Sequence, residues 1–194
     1  MKIHLFEQLS DEWFEIRKLK LTASHAQAIG NMGKGLETYV TEMIAYHYSS
    51  GEKEYYTSEH TERGNELEPL AREMYELEKG AEVKQVGFIE ENQYVGCSPD
   101  GLVSEDGGIE IKSLNDVAHY KLIRDGKKEI ESKYIWQVQM NLLITKRKWW
   151  DLIFYNPNFS QSMLIFRIEP DLKMQESLKL GLEMGMELIK SQLQ

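Results

Sequence analysis

Asp100, Glu110 and Lys112 carry the clearest chemical signal in this 194-residue chain. They stand in Ser98-Pro99-Asp100-Gly101-Leu102 and, beyond a turn-forming Ser104-Glu105-Asp106-Gly107-Gly108 cluster, in Ile109-Glu110-Ile111-Lys112-Ser113. Turn residues between two β-type runs read as a hairpin. Alternation along the returning strand sends Ile109 and Ile111 to one face and Glu110 and Lys112 to the other. Two carboxylates and an ammonium group therefore converge at the end of a hairpin. Mg²⁺ takes oxygen ligands from one or two carboxylates, keeps several waters and binds substrate phosphate oxygens. Asp100 and Glu110 offer the carboxylates, and the Ile111 carbonyl offers a third oxygen. Lys112 can orient a water, take its proton or stabilise developing charge. This is the equipment of metal-assisted hydrolysis. The plainer reading is a charged hairpin face in solvent, with Asp100-Gly101 serving only as a turn.

Around this motif the sequence predicts an alternation of helices and strands. Ser10 ahead of Asp11-Glu12-Trp13-Phe14-Glu15-Ile16-Arg17 is an N-cap with an acidic first turn. A second helix begins near Thr22-Ala23-Ser24 and ends around Gly30, and a third covers Leu36 to Tyr48. Glu62 to Lys79 reads as a helix with Leu67, Leu70, Met74 and Leu77 near one stripe and Gly80 as its stop. Strands follow at 83–91, 94–103 and 108–113, then helices at 115–124 and 133–145. Trp149–Tyr155 and Ser162–Ile168 alternate like paired strands around Asn156-Pro157-Asn158, and Pro170 opens a last helix. The order predicts one α/β (α+β) domain over residues 1–194, with a central mixed β-sheet flanked by helices.

Composition sets outer bounds. A 41% hydrophobic and 28% charged content is that of a globular protein. No apolar run approaches the roughly 20 residues of a membrane span, so no membrane association is expected. Cys97 is the single cysteine, which excludes an internal disulfide, fits a reducing cytoplasm and reads as a small core residue. A net charge of −9 argues against nonspecific coating of nucleic acid but not against a nuclease. Two basic clusters stand out, Lys121/Arg124/Lys127/Lys128 and Lys146-Arg147-Lys148, each readable as a phosphate contact or as an ordinary solvated face.

The Asp100, Glu110 and Lys112 pattern resembles the PD-(D/E)xK nuclease core, and the wider chain resembles the phage lambda exonuclease group, the YqaJ-like viral recombinases. The resemblance rests on five segments in order: 17–24, Gly64-Asn65-Glu66-Leu67-Glu68-Pro69, Cys97 to Leu102, Glu110-Ile111-Lys112, and Tyr134-Ile135-Trp136-Gln137-Val138-Gln139-Met140. It implies a restriction-endonuclease-like core. It implies that Glu68 joins Asp100, Glu110 and the Ile111 carbonyl in holding Mg²⁺, with Mn²⁺ as a substitute, and that Gln137 stands near the reacting phosphate. Glu66 competes with Glu68, but two residues along a helix point elsewhere. By the same resemblance Arg17, Ser24 and Ser98 hold a terminal 5′-phosphate, as guanidinium and hydroxyl donors suit. Thr22 and Ser24 also suit a plain helix cap. The implied activity is 5′→3′ exonucleolysis of one strand of double-stranded DNA ends by a homotrimer, leaving a 3′ strand for an annealing or recombinase protein. An endonuclease on the same core, and an inert DNA- or recombinase-binding module, are the alternatives.

Overall fold

The computed structural model describes residues 1–49 and 59–193, with the backbone alone over 59–62. The α/β class expected from the sequence holds, and the strands divide between two mixed sheets. One runs β1 (Lys2–His4), β4 (Phe88–Asn92), β5 (Val95–Cys97), β2 (Leu21–Thr22); the other runs β3 (Val83–Lys84), β6 (Gly101–Val103), β7 (Gly107–Ser113), β8 (Trp149–Tyr155), β9 (Met163–Ile168). The helices are α1 (Asp11–Arg17), α2 (Ala26–Asn31), α3 (Gly33–Tyr48), α4 (Glu59–Lys79), α5 (Asp116–Asp125), α6 (Ser132–Thr145) and α7 (Leu172–Gln192).

The two long β-type runs are each cut in half, and the halves belong to different sheets. The run at 83–91 breaks around Gly87, where a Cβ would stand 2.2 Å from the Phe6 carbonyl oxygen, so the chain passes only without a side chain. The run at 94–103 breaks at Ser98-Pro99-Asp100, where proline has no N–H to give a ladder. That second break is the seam between the sheets, and it puts Asp100 and Ser98 on opposite sides of one short crossing. β1 and β2 are too short for alternation to announce them; each is recruited by pairing with β4 and β5 respectively.

The expected hairpin is β6–β7, with Gly101 opposite Ile109 and Val103 opposite Gly107. Arg147 Nη1 donates to the carbonyls of Val103, Ser104 and Gly107 at 3.3, 2.8 and 2.6 Å, and Lys148 pairs with Asp106 at 2.9 Å. Of the 146–148 basic cluster, Arg147 thus clamps the hairpin turn, while Lys148 pairs with the turn and stays exposed. β7 then runs parallel to β8, with Lys112 opposite Phe154. Parallel pairing requires a crossover connection, and α5, a 3₁₀ turn and α6 form it.

α4 buries Ala71 and Tyr75 against Ile109, Ile111 and Ile153; of the expected stripe of Leu67, Leu70, Met74 and Leu77, Leu67 alone packs against this core, partly buried. Leu70, Met74 and Leu77 are exposed. Tyr75 also donates to Asp151 of β8 at 2.7 Å, and Arg167 of β9 grips the same buried carboxylate with two bonds of 2.8 Å. This anchorage carries α4 through Pro69, whose missing N–H inside a helix costs about 3 kcal/mol. Glu68, the residue before it, is thereby held beside the end of β7.

Candidate active site

Alternation in β7 has the outcome its pattern promised. Ile109 and Ile111 enter the small core under α4, while Glu110 and Lys112 turn to the other face. The charged face is not in solvent, however: Glu110 is 1% exposed, which removes the plain-hairpin reading. Three side chains grip its carboxylate. Lys112 Nζ donates to Oε1 at 2.6 Å, Gln137 Nε2 to the same oxygen at 2.5 Å, and Asn141 Nδ2 to Oε2 at 3.1 Å. Gln137 and Asn141 lie one turn apart on α6, so a single helix face supplies both amides. Asp100 reaches across the hairpin and accepts the Ile111 N–H at 2.6 Å, which ties the seam to the strand that carries Glu110 and Lys112. The Ile111 side chain is in the core, so only its backbone is offered to the site.

Glu68 arrives from α4, partly buried, and accepts a hydrogen bond from Arg72 one turn later. Glu66 is exposed, so Glu68 is the α4 carboxylate that joins the cluster. The three acids feel one another. Burial, then the charge of Asp100, push Glu68 up to about 7 against the pull of Arg72 and Lys112. The same two causes push Glu110 up to about 8 against Lys112. Burial also raises Asp100, opposed first by Lys112 and then by the Ile111 N–H. Burial works against the Lys112 ammonium, yet Glu110 and Asp100 outweigh it and hold the group above its ordinary value. Among the described residues no three His, Cys, Asp or Glu side chains converge as a ready metal cage. Arg72 instead pairs with Glu68, and Lys112 with Glu110. The donor set still fits a hard divalent cation: the buried Glu110 and the partly buried Glu68 and Asp100, in mutual electrostatic reach, with a backbone carbonyl, all oxygen.

The residues assigned to a terminal phosphate form a second, adjoining group. Arg17 Nη1 donates to Ser98 Oγ at 3.1 Å, and Trp13 Nε1 donates to the same hydroxyl at 2.8 Å, with the guanidinium stacked 4.1 Å above the Trp13 ring. Ser24 does not cap a helix by a side-chain bond to the backbone; its hydroxyl lies 3.2 Å from Thr22 Oγ1 and 3.2 Å from His25 Nδ1. Thr22 is joined in turn to Tyr39, whose buried phenol feels the charge of Arg17. Arg17 and Ser98 are thus brought into contact, and Ser24 belongs to the hydroxyl cluster beside them. Cys97 is fully buried, and burial pushes its thiol far up, as befits an inert core residue.

Sequence reasoning passed over Arg72, Asn141 and Trp13. Each lies four residues from a residue already singled out, Glu68, Gln137 and Arg17, on a helix where that spacing makes neighbours.

The family model of the YqaJ-like viral recombinase domain matches residues 12–148, a span that holds every residue of both groups. The chain belongs to the YqaJ-like viral recombinase family. Its structure is similar to that of an alkaline exonuclease, LHK-Exo, from Laribacter hongkongensis, with a TM-score of 0.83 at 31% identity over 94% of this chain and 93% of that one. The complex of LHK-Exo with dAMP gives a TM-score of 0.84 at 30% identity, with the same coverage. A phage-related exonuclease from Haemophilus somnus 129PT shares the fold at a TM-score of 0.72 and 16% identity, over 91% and 96% of the two chains. No curated protein sequence matches the chain. No helix among the described residues is long and apolar enough to cross a membrane.

Proposed function

We propose that this protein is a metal-dependent exonuclease that removes nucleotides from the 5′ strand of linear double-stranded DNA. The observation that carries the reading is the buried Glu110 carboxylate, gripped by Lys112, Gln137 and Asn141 beside Asp100 and Glu68. A binding module has no use for three acids packed where phosphate must approach, because like charges there repel DNA unless a cation lies between them. Glu68, Asp100, Glu110 and the Ile111 carbonyl would hold Mg²⁺, with Mn²⁺ as a substitute. When bound, the ion lowers the pKa of water and offsets charge on the phosphoryl oxygens.

The chain's own groups supply the rest. Lys112, already fixed by its 2.6 Å bond to Glu110 and held as an ammonium, orients the attacking water and stabilises the charge that develops on it. The Gln137 amide is a neutral donor for a phosphate oxygen next to that carboxylate. Arg17 and Ser98, with Ser24 in the adjoining hydroxyl cluster, present donors to a terminal 5′-phosphate and so bias cleavage to that end. The crossing at Ser98-Pro99-Asp100 links the two groups, and end recognition and hydrolysis are thereby registered to one strand terminus. Family membership and the likeness to an alkaline exonuclease support this reading. A homotrimer around the DNA, and a 3′ strand handed to an annealing or recombinase protein, complete the proposal.

The test is digestion of linear duplex DNA labelled at one 5′ or one 3′ end, with and without Mg²⁺. The expected result is Mg²⁺-dependent loss of the 5′ label first, with the complementary strand left intact. Binding without cleavage in Mg²⁺ or Mn²⁺ refutes the nuclease, and nicking of closed circles redirects it to an endonuclease.

A further inference from the structure

Past the carboxyl ends of the parallel strands β7 and β8 lies a groove of about 330 Å³, walled by α5 and the start of α6. In α/β arrangements that end of parallel strands is where ligands collect. The floor includes the buried Phe154 ring, and the side wall is Tyr134, the two rings meeting edge-on with centroids 5.9 Å apart. Lys112 Nζ stands 5.6 Å from the centre of the Tyr134 ring. Tyr134 therefore divides the candidate active site from the groove. Val117, at the mouth, is 68% exposed, an apolar side chain with nothing over it. Lys121 lines one edge, with the exposed Lys127 and Lys128 beyond it. Glu129 and Glu131 also line the groove, and Glu131 is paired with Lys133 at 2.7 Å.

We propose that this groove receives a single unpaired nucleobase of the DNA strand being hydrolysed, stacked on Tyr134. The proposal rests on the nuclease reading and extends it to how the strand is held. An aromatic wall over an apolar floor suits the flat face of a base, and such stacking tolerates any sequence. The carboxylate of Glu129 repels a phosphate but accepts an N–H from a base edge. The phosphates belong outside, against Lys121 and its neighbours. A volume of about 330 Å³ is ample for one planar base with its sugar at the rim. A splayed base frees both its faces and its pairing edge for Tyr134 and Glu129, so the groove stabilises an opened duplex end next to the hydrolytic group.

Val117→Trp fills the groove from an exposed position, and Val117→Ala leaves it open; equal melting temperatures certify both folds. Two readouts separate the groove from the nuclease reading. The first uses 5′-phosphorylated duplexes with one 2-aminopurine at each of the first few positions, titrated in Mg²⁺ into Asp100→Asn protein, with and without Val117→Trp. A fluorescence change confined to one or two adjacent positions and abolished by Val117→Trp is expected; the same signal in both proteins, or none at any position, overturns the groove. This arm reads binding whether or not the wild type cleaves. In the second, Val117→Trp raises KM for duplex DNA about 10-fold or more, with kcat within about 2-fold and Val117→Ala near wild type. Wild-type KM in Val117→Trp overturns the groove while leaving the nuclease standing. A wild type that leaves duplex DNA intact refutes the nuclease reading alone, since the first arm still decides the groove.

Discussion

Replacing Asn141 by leucine tests the proposition that α6 stabilises the charged form of Glu110. Asn141 is fully buried; its Nδ2 donates to Glu110 Oε2 at 3.1 Å, and its Oδ1 has no hydrogen-bond partner. Leucine is close in volume, removes the donor and removes the orphan acceptor. Glu110 is pushed from 4.5 up to about 8 by burial and the Asp100 charge, so at pH 6 it is largely protonated. There the lost bond is neutral, worth about 1 kcal/mol, and deleting a buried unsatisfied oxygen returns about as much. The variant at pH 6 should match wild type to within about 1 kcal/mol. At pH 9.5 the carboxylate is charged and the lost bond is worth about 2 kcal/mol. The additional loss of about 1 kcal/mol corresponds to a further rise of nearly one unit in the Glu110 pKa.

The sign follows from linkage. An acid whose folded pKa lies above its unfolded value is least costly below the unfolded pKa, and stability falls as pH rises through the folded one. In the variant that fall continues to about one unit higher pH than in wild type. Urea unfolding of both proteins in EDTA at pH 6 and 9.5 measures the difference, which should appear in Tm as a few degrees. An equal offset at both pH values refutes the argument, because it would mean that Asn141 acts by packing alone.

Other outcomes follow from the same geometry. Lys112→Ala should lower the cleavage rate about 100-fold or more with DNA binding retained, and full activity in a gel-based digestion assay would remove Lys112 from the reaction. Arg17→Ala should reduce cleavage of 5′-phosphorylated ends more than of 5′-hydroxyl ends; an equal loss on both, measured by end-labelled digestion, would dissolve the phosphate pocket. Asp151→Asn weakens the grip of Arg167 and Tyr75 and should cost about 3 kcal/mol in chemical unfolding, while cleavage persists at temperatures where the variant stays folded. Because Glu68 and Glu110 sit near 7 and 8, the metal-free protein should lose stability from about pH 5 to 8. Saturating Mg²⁺ should then raise Tm more at pH 8.5 than at pH 6, read by scanning calorimetry, and a larger rise at pH 6 would contradict the assigned ligands.

What could be read from the chain was whatever depends on neighbours in sequence. The β6–β7 hairpin is local, so its turn residues and its alternation were enough to put Glu110 and Lys112 on one face. The capped helix at Ser10 and the α4 span are local in the same sense. The order of motifs further sufficed for the family, because residue types at fixed spacing survive without any knowledge of the fold between them.

The division of two β-type runs between two sheets was decided elsewhere, by Phe6 crowding Gly87 and by the proline at the seam. β1 and β2 exist only because β4 and β5 offer them edges. The buried stripe of α4 was likewise chosen by its partners: Tyr75 found Asp151 and Arg167, and Leu77 was left in solvent. Burial of Glu110 is the decisive case. Sequence alone fixes that it is an acid on the face of Lys112; only the approach of α6, with Gln137 and Asn141, takes it out of water and supplies the donors that hold it. Charge is written in the sequence, but the cost of keeping it depends on solvent exclusion by elements distant along the chain, and that belongs to the tertiary structure.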